Sequence, residues 1–217
     1  RLALAAPQSG TVVAAPGAQI FPGYQRSDEV NKARSSQAAY VDLEGEKGRL
    51  LVGAAGRFEN YSDFGSTLNG KLSARFQLPL GVALRGSVST GFRAPSLHQR
   101  YFQNTSTQFV NGLPSNTLTV NNDNAIARTV IGVDALKPET STNFTVGLTA
   151  RAGKAFTLTV DAYQINISDR IVYSGSFTRA QLGFTAADYL GVNLVRFFAN
   201  AVNTKTQGID IVAAERL

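Results

Sequence analysis

The sequence predicts an all-β fold, an antiparallel up-and-down meander of about seven long strands. Three observations predict it. Apolar and polar residues alternate with period two from residue 37 onward. Tight turns and very long connections separate the alternating segments in a regular order. No apolar run approaches the roughly 18 residues of a transmembrane helix. A membrane-spanning strand needs no such run, because only every second residue meets lipid.

The first segment, QAAYVDLEGE (37–46), sets Ala39, Val41 and Leu43 against Tyr40, Asp42 and Glu44. After a Glu-Lys-Gly turn, residues 49–63 place Leu50, Val52, Ala54 and Phe58 on one face, with Arg57 and Glu59 on the other. The third segment, STLNGKLSARFQL (66–78), is the most regular. Leu68, Leu72, Ala74, Phe76 and Leu78 alternate with Asn69, Lys71, Ser73, Arg75 and Gln77. Pro79 to Gly81 make the next turn. The fourth, VALRGSVSTGF (82–92), sets Val82, Leu84, Val88 and Phe92 against Arg85, Ser87 and Ser89.

The pattern then stops for about forty residues, well beyond the two to five of a hairpin loop. The fifth segment, about 139–151, sets Phe144, Val146 and Leu148 against Asn143, Thr145 and Thr149. After Ala-Gly-Lys, the sixth (155–171) sets Phe156, Leu158, Val160 and Ala162 against Thr157, Thr159 and Asp161. Its phase changes near Gln164, where Ile165 and Ile167 occupy the formerly polar side; a bulge, or emergence from an apolar medium, accounts for that. The seventh, 200–217, sets Ile209, Ile211 and Ala213 against Gly208, Asp210 and Val212.

In an up-and-down meander every second connection lies at the same end. The long connections, about 93–138 and 172–199, therefore share an end with the turn near 62–66. The tight turns near 46–48, 79–81 and 152–154 share the other. Short turns at one end and long loops at the other are what outer-membrane barrels show. The expected fold is thus an open segment of a large transmembrane β-barrel (35–217). Residues 1–34, with Pro7, Pro16, Pro22 and two nearby glycines, read as the tail of another long loop. A short helix is expected within 178–190. With no Met among its 217 residues, the sequence is expected to be part of a longer protein.

Composition narrows the function classes. The absence of Cys removes disulfides, thiolate metal sites and thiol chemistry. The net charge of +6 comes from scattered Lys and Arg without a cluster, which argues against a nucleic-acid partner. His98, the single His, has no partner indicated by sequence and reads as a loop residue. VNNDNAIA (120–127) lacks the Gly and the closing acid of a calcium loop. No phosphate-binding Gly loop, zinc-hydrolase or nucleophile-elbow motif occurs. The sequence therefore predicts neither a catalytic site nor a metal or cofactor site. Aromatics in the long connections are the candidate ligand contacts: Tyr101, Phe102, Phe109, Tyr173, Phe177, Phe184 and Tyr189. Packing of one loop on another explains them equally well. The expected lipid-facing residues include Leu72, Phe76, Leu84, Val88, Val146, Leu148, Leu158 and Val160.

Three stretches carry a family likeness. STGFRAPSL, LKPETSTNFTVGL and FFANAVNTKTQGIDI resemble, in order, boxes of TonB-dependent outer-membrane receptor barrels. The matching positions are Gly91, Phe92, Arg93 and Pro95; Pro138 and Glu139; and Asn203, Gly208 and Asp210. The resemblance covers about residues 20–217. It implies a barrel of roughly 22 strands with a plugged lumen, an upstream plug domain, and an inner-membrane TonB energiser complex as partner. It also implies outer-membrane lipid around the barrel. The function it implies is energised uptake of a scarce large ligand: an iron-siderophore, cobalamin, haem or a glycan. A passive porin or barrel adhesin, and a soluble β-sandwich binding module, are the competing readings. Independently of the family, Pro95 and Pro138 suit strand ends. Arg93 and Glu139 flank the same loop and are expected to pair.

Overall fold

The computed structural model describes residues 28–110, 112–153, 155–185 and 191–215. The expected loop tail therefore lies outside the described residues as far as residue 27. Seven long strands follow the seven alternating segments: β1 (Ser36–Lys47), β2 (Leu50–Tyr61), β3 (Gly65–Gln77), β4 (Val82–Arg93), β7 (Glu139–Ala152), β8 (Phe156–Tyr173) and β11 (Phe198–Glu215). They form one sheet in the order β1-β2-β3-β4-β7-β8-β11. The sheet is open, with β1 and β11 at its edges. The ladders from β1 to β8 are antiparallel.

Register places the apolar residues on one face, because residues directly opposite in an antiparallel ladder point the same way. Ala54 faces Leu72, which faces Val88, which faces Phe144. Phe76 faces Leu84, which faces Leu148, which faces Val160. Among the described residues this face has no covering layer: Leu68 is 77% exposed, Val146 62% and Ile211 68%. The other face carries Lys71, Arg75, Arg85, Thr145 and Asp161.

The phase change in β8 is not a bulge. Pairing with β7 runs without interruption from Ala152↔Phe156 to Thr140↔Ser168. Gln164 therefore keeps the apolar face, opposite Phe144, and Ile165 keeps the polar one. The outer face itself turns polar there. Gln164 accepts from Gln207 of β11 at 2.7 Å and donates to Asn166 at 3.2 Å. Ala162 and Gln164 thus mark the end of the apolar stretch on the outer face of β8.

The apolar belt is oblique to the ladder rows. Ala162, the last apolar outer residue of β8, traces back through Val146, Gly86, Ala74 and Val52 to Gly45 on β1. On β1 the apolar stretch reaches six residues further, to Ala39. That is a drift of six residues over five strand-to-strand steps. With about 3.4 Å per residue and 4.8 Å between strands, the belt is level when the strands tilt by about 40°, within the range of closed barrels. Phe58 and Phe144 close the belt at the loop end of their strands, and Phe76 and Phe156 at the turn end. Aromatic rims of this kind border the apolar band of membrane barrels.

The long connections, read from the sequence as long loops with a short helix in the second, carry secondary structure of their own. With residues 28–33 they belong to a compact unit of their own (Arg1–Ala33, Pro95–Leu136, Ile171–Asn200). It contains the helix α1 (Leu97–Tyr101), strands β5 (Asn104–Val110), β6 (Leu113–Thr119), β9 (Phe177–Thr178) and β10 (Leu194–Arg196), and a π-helical turn, Ala127–Ile131. The short strands form a second sheet, β5-β6-β10-β9, in which β10 runs parallel to β6. Leu118, Val120, Ala127, Ile131, Val133, Phe184, Val192 and Val195 form its apolar core. The helix expected within 178–190 is a single turn, α2 (Arg179–Leu182), ended by Gly183 at φ 72°; residues 186–190 lie outside the described residues.

Candidate functional site

In the loop unit, a capping box starts α1. The Ser96 hydroxyl accepts from the Gln99 backbone N–H, and the Gln99 side chain accepts from the Ser96 N–H, both at 3.0 Å. These bonds satisfy orphan donors of the first turn. The turn sets Tyr101 and Phe102 beside His98, whose ring stacks on Phe102 at 4.3 Å between centroids. Behind it, buried Arg100 pairs with Asp123 at 3.0 Å, and Arg128 meets the same carboxylate at 2.5 Å. Lys32 lies 5.6 Å above the Tyr101 ring, within cation–π range. Asp28, Lys32, His98, Tyr101, Phe102 and Gln103 line a pocket of about 300 Å³.

The expected aromatic contacts divide into groups. Tyr101 and Phe102 line the pocket. Phe109 stands on β5, 54% exposed. Tyr173 is exposed but engaged: its hydroxyl meets that of Thr119 at 2.5 Å, and its ring lies 5.0 Å from Phe198. Phe177 is half-buried and stacks on Phe197 at 5.6 Å. Phe184 is buried in the apolar core, so packing accounts for it fully. Tyr189 lies outside the described residues. Sequence reasoning passed over His98, Lys32, Asp28 and Gln103 as pocket residues. A signal was present for His98, which stands three residues after Pro95, where the chain leaves its strand.

On the polar face of the sheet the dominant feature is an ion pair spanning three strands. Arg85 of β4 and Asp161 of β8 both sit opposite Gly147 of β7. Their bidentate contacts measure 3.0 and 2.5 Å. A Cβ at Gly147 would collide with the Asp161 carboxylate; the glycine is the gap through which the pair closes. Among the described residues no cluster of three or more His, Cys, Asp or Glu could hold a metal ion.

Comparison with known proteins agrees with this geometry. The family model described as TonB dependent receptor-like, beta-barrel, matches residues 7–215. The chain belongs to the TonB-dependent receptor β-barrel family. Solved structures share the fold. The siderophore receptor PirA from Pseudomonas aeruginosa superposes with a TM-score of 0.61 at 18% identity, over 82% of this chain and 30% of that one. PirA from Acinetobacter baumannii gives 0.61 at 18%, over 93% and 29%. The FrpB iron transporter from Neisseria meningitidis gives 0.54 at 15%, over 85% and 24%. The chain thus spans under a third of the length of these receptors. No curated protein matches it significantly. The family consists of receptors and transporters in the outer membrane of Gram-negative bacteria, not enzymes.

The TonB-receptor boxes acquire physical reasons here. Arg93 and Glu139 are register partners at the ends of β4 and β7 and form a bidentate ion pair, with Nε donating to Oε2 at 3.0 Å. Gly91 faces Ser141, whose hydroxyl would lie 2.9 Å from any Cβ there. Phe92 meets Tyr61 edge-on at 5.8 Å. Pro95 is fully buried, and Pro138 precedes the first residue of β7. The Asn203 side chain accepts from the backbone N–H of Asp169 at 3.0 Å. Asp169 is left-handed at φ 56°, so Asn203 caps a strained residue of β8. The Tyr163 ring lies directly over Gly208, where any Cβ would strike it. An aromatic covering a strand glycine restores packing that the missing side chain gives up. Asp210 is exposed.

Proposed function

We propose that this chain is a barrel segment of an outer-membrane receptor that takes up a ferric siderophore, with energy delivered through TonB. The observation that carries the reading is the oblique, uncovered apolar belt, level only at about the strand tilt of a closed barrel. A soluble sandwich would bury that face against a second sheet. The siderophore class is supported by similarity to two proteins described as siderophore receptors and one described as an iron transporter. In this reading the loop-unit pocket beside Tyr101 and Phe102, with exposed Phe109, contributes to ligand contact: aromatic faces and the Lys32 cation suit an anionic, aryl-bearing chelate. Outer-membrane lipid surrounds the belt.

The test is expression of the full-length protein in a bacterial strain stripped of its own siderophore receptors. Uptake of radioactive iron from a panel of ferric siderophores should appear for at least one, and should vanish when TonB is inactivated. Uptake that persists without TonB would make the protein a passive pore. Uptake of cobalamin, haem or a glycan, with none of any ferric siderophore, would overturn the ligand class.

A further inference from the structure

The stretch VNNDNAIA (120–127), which lacks the residues of a calcium loop, gives its carboxylate to two guanidiniums. One oxygen of Asp123 accepts from Arg100 Nη2 at 3.0 Å, and the other from Arg128 Nη2 at 2.5 Å. The loop fixes that carboxylate in turn. The Asn121 side chain accepts from the Asp123 backbone N–H at 2.8 Å, and Arg128 Nε donates to the Asn122 carbonyl at 3.1 Å. Arg100 is buried and belongs to α1, whose Leu97, His98 and Tyr101 line the pocket. Its guanidinium also lies 5.1 Å from the centre of the Tyr101 ring. A single helical turn has no stability of its own. The capping box holds the start of α1, and Asp123, 23 residues further along the chain than Arg100, holds its end.

We propose that Asp123 is the positioning residue of this pocket. It does not line the pocket itself; it holds α1 so that Tyr101 and Phe102 meet an anionic, aryl-bearing chelate in a fixed place. The proposal rests on the ligand contact proposed above. Removing the carboxylate takes a charge partner from a buried guanidinium, and breaking a buried ion pair from one side is strongly destabilising. Relief comes most cheaply from the element with least to lose, and α1 is one turn long. The apolar core of the loop unit, assembled from residues between Leu118 and Val195, takes nothing from α1 and stays intact when the turn shifts. A ring already in place binds without the ordering cost that a loose one incurs. Loss of the anchor therefore weakens capture of the chelate and leaves the later steps of uptake unchanged.

Asp123→Asn in the full-length receptor tests this, because it keeps the shape of the side chain and removes its charge. The probe is radioactive iron held in a ferric tris-catecholate, supplied over a range of concentrations to cells without other siderophore receptors. KM for uptake should rise at least fivefold while Vmax stays within twofold; a change in KM alone reports lost binding and not lost protein. Asp123→Glu, which restores the carboxylate, should return KM to within twofold of the wild type. Hydrogen exchange at the Arg100 and Phe102 amides, bonded to the Ser96 and His98 carbonyls at 3.1 and 3.0 Å, should quicken at least tenfold in Asp123→Asn and keep its wild-type rate in Asp123→Glu. A fall in Vmax with KM unchanged would reduce Asp123 to a residue needed for folding, and overturn the proposal. Faster exchange in α1 with an unchanged KM would overturn it too, by showing that the turn has no part in capture. Absence of tris-catecholate uptake by the wild type counts against the function proposed above, and the exchange rates then decide the anchor by themselves.

Discussion

At Gly147 the absence of one carbon atom decides a contact between two other strands. A Cβ there would displace the Asp161 carboxylate and lie 3.0 Å from Arg85 Nε. Because the pair is partly solvent-exposed, its own worth is small. The strain of forcing the two side chains apart adds to the loss. Gly147→Ala is therefore expected to destabilise the full-length barrel by about 1–2 kcal/mol. Most of that cost should disappear in an Asp161→Ala background, as a double-mutant cycle on urea-unfolding midpoints would show. An undiminished cost would mean the glycine serves the strand backbone and not the ion pair. Gly208 under Tyr163 follows the same logic. Neither dependence is visible in a list of residue types, because each joins residues from different strands.

Among the elements, β4 tests the two-faced character of the sheet most directly. Leu84 belongs to the belt and Ser87 to the opposite wall. Leu84→Arg should cost about 2–4 kcal/mol in the full-length barrel if Leu84 sits near the bilayer midplane. Ser87→Arg should cost well under half of that. Equal unfolding midpoints for the two variants would mean that the belt never meets lipid. The loop elements obey different physics. They hold together through a core of their own, in which Phe184 is 4% exposed. Phe184→Ala leaves a cavity worth about 3–5 kcal/mol, more than a small satellite core can lose. Hydrogen exchange should then accelerate at the amides of β6 and β10 while those of β3, β4 and β7 keep their protection. Uniform acceleration in both sheets would show that the two units unfold as one.

For the whole molecule, the open sheet sets the terms. Among the described residues β1 and β11 each present a free edge with unpaired backbone donors and acceptors. Leu68, Leu72, Val146, Ile209 and Ile211 add an apolar face far larger than soluble monomers expose. The 217-residue segment produced alone in water is therefore expected to aggregate and to transport nothing. Light scattering and sedimentation of the refolded segment, with and without detergent, check this. A monodisperse monomer in detergent-free buffer would contradict both the belt and the open edges.

The sequence alone determined the seven strands, their faces and their direction. Period two is a local property of the backbone: each residue reports its side of the sheet without knowledge of any distant partner. Arg93 and Glu139 were legible as a pair because their boxes end and begin consecutive strands. Only the tertiary structure decided register, and register is what kept Gln164 on the outer face and turned an apparent slip into the rim of the belt. It also decided that the long connections fold: the core around Val195 and Phe184 assembles from segments some seventy residues apart, with no repeating spacing to announce it. The pocket residues Asp28, Lys32 and His98 were illegible for the same reason. Alternation is written along the chain, whereas a pocket or an ion pair across three strands exists only where separate segments are brought within a few ångströms of one another.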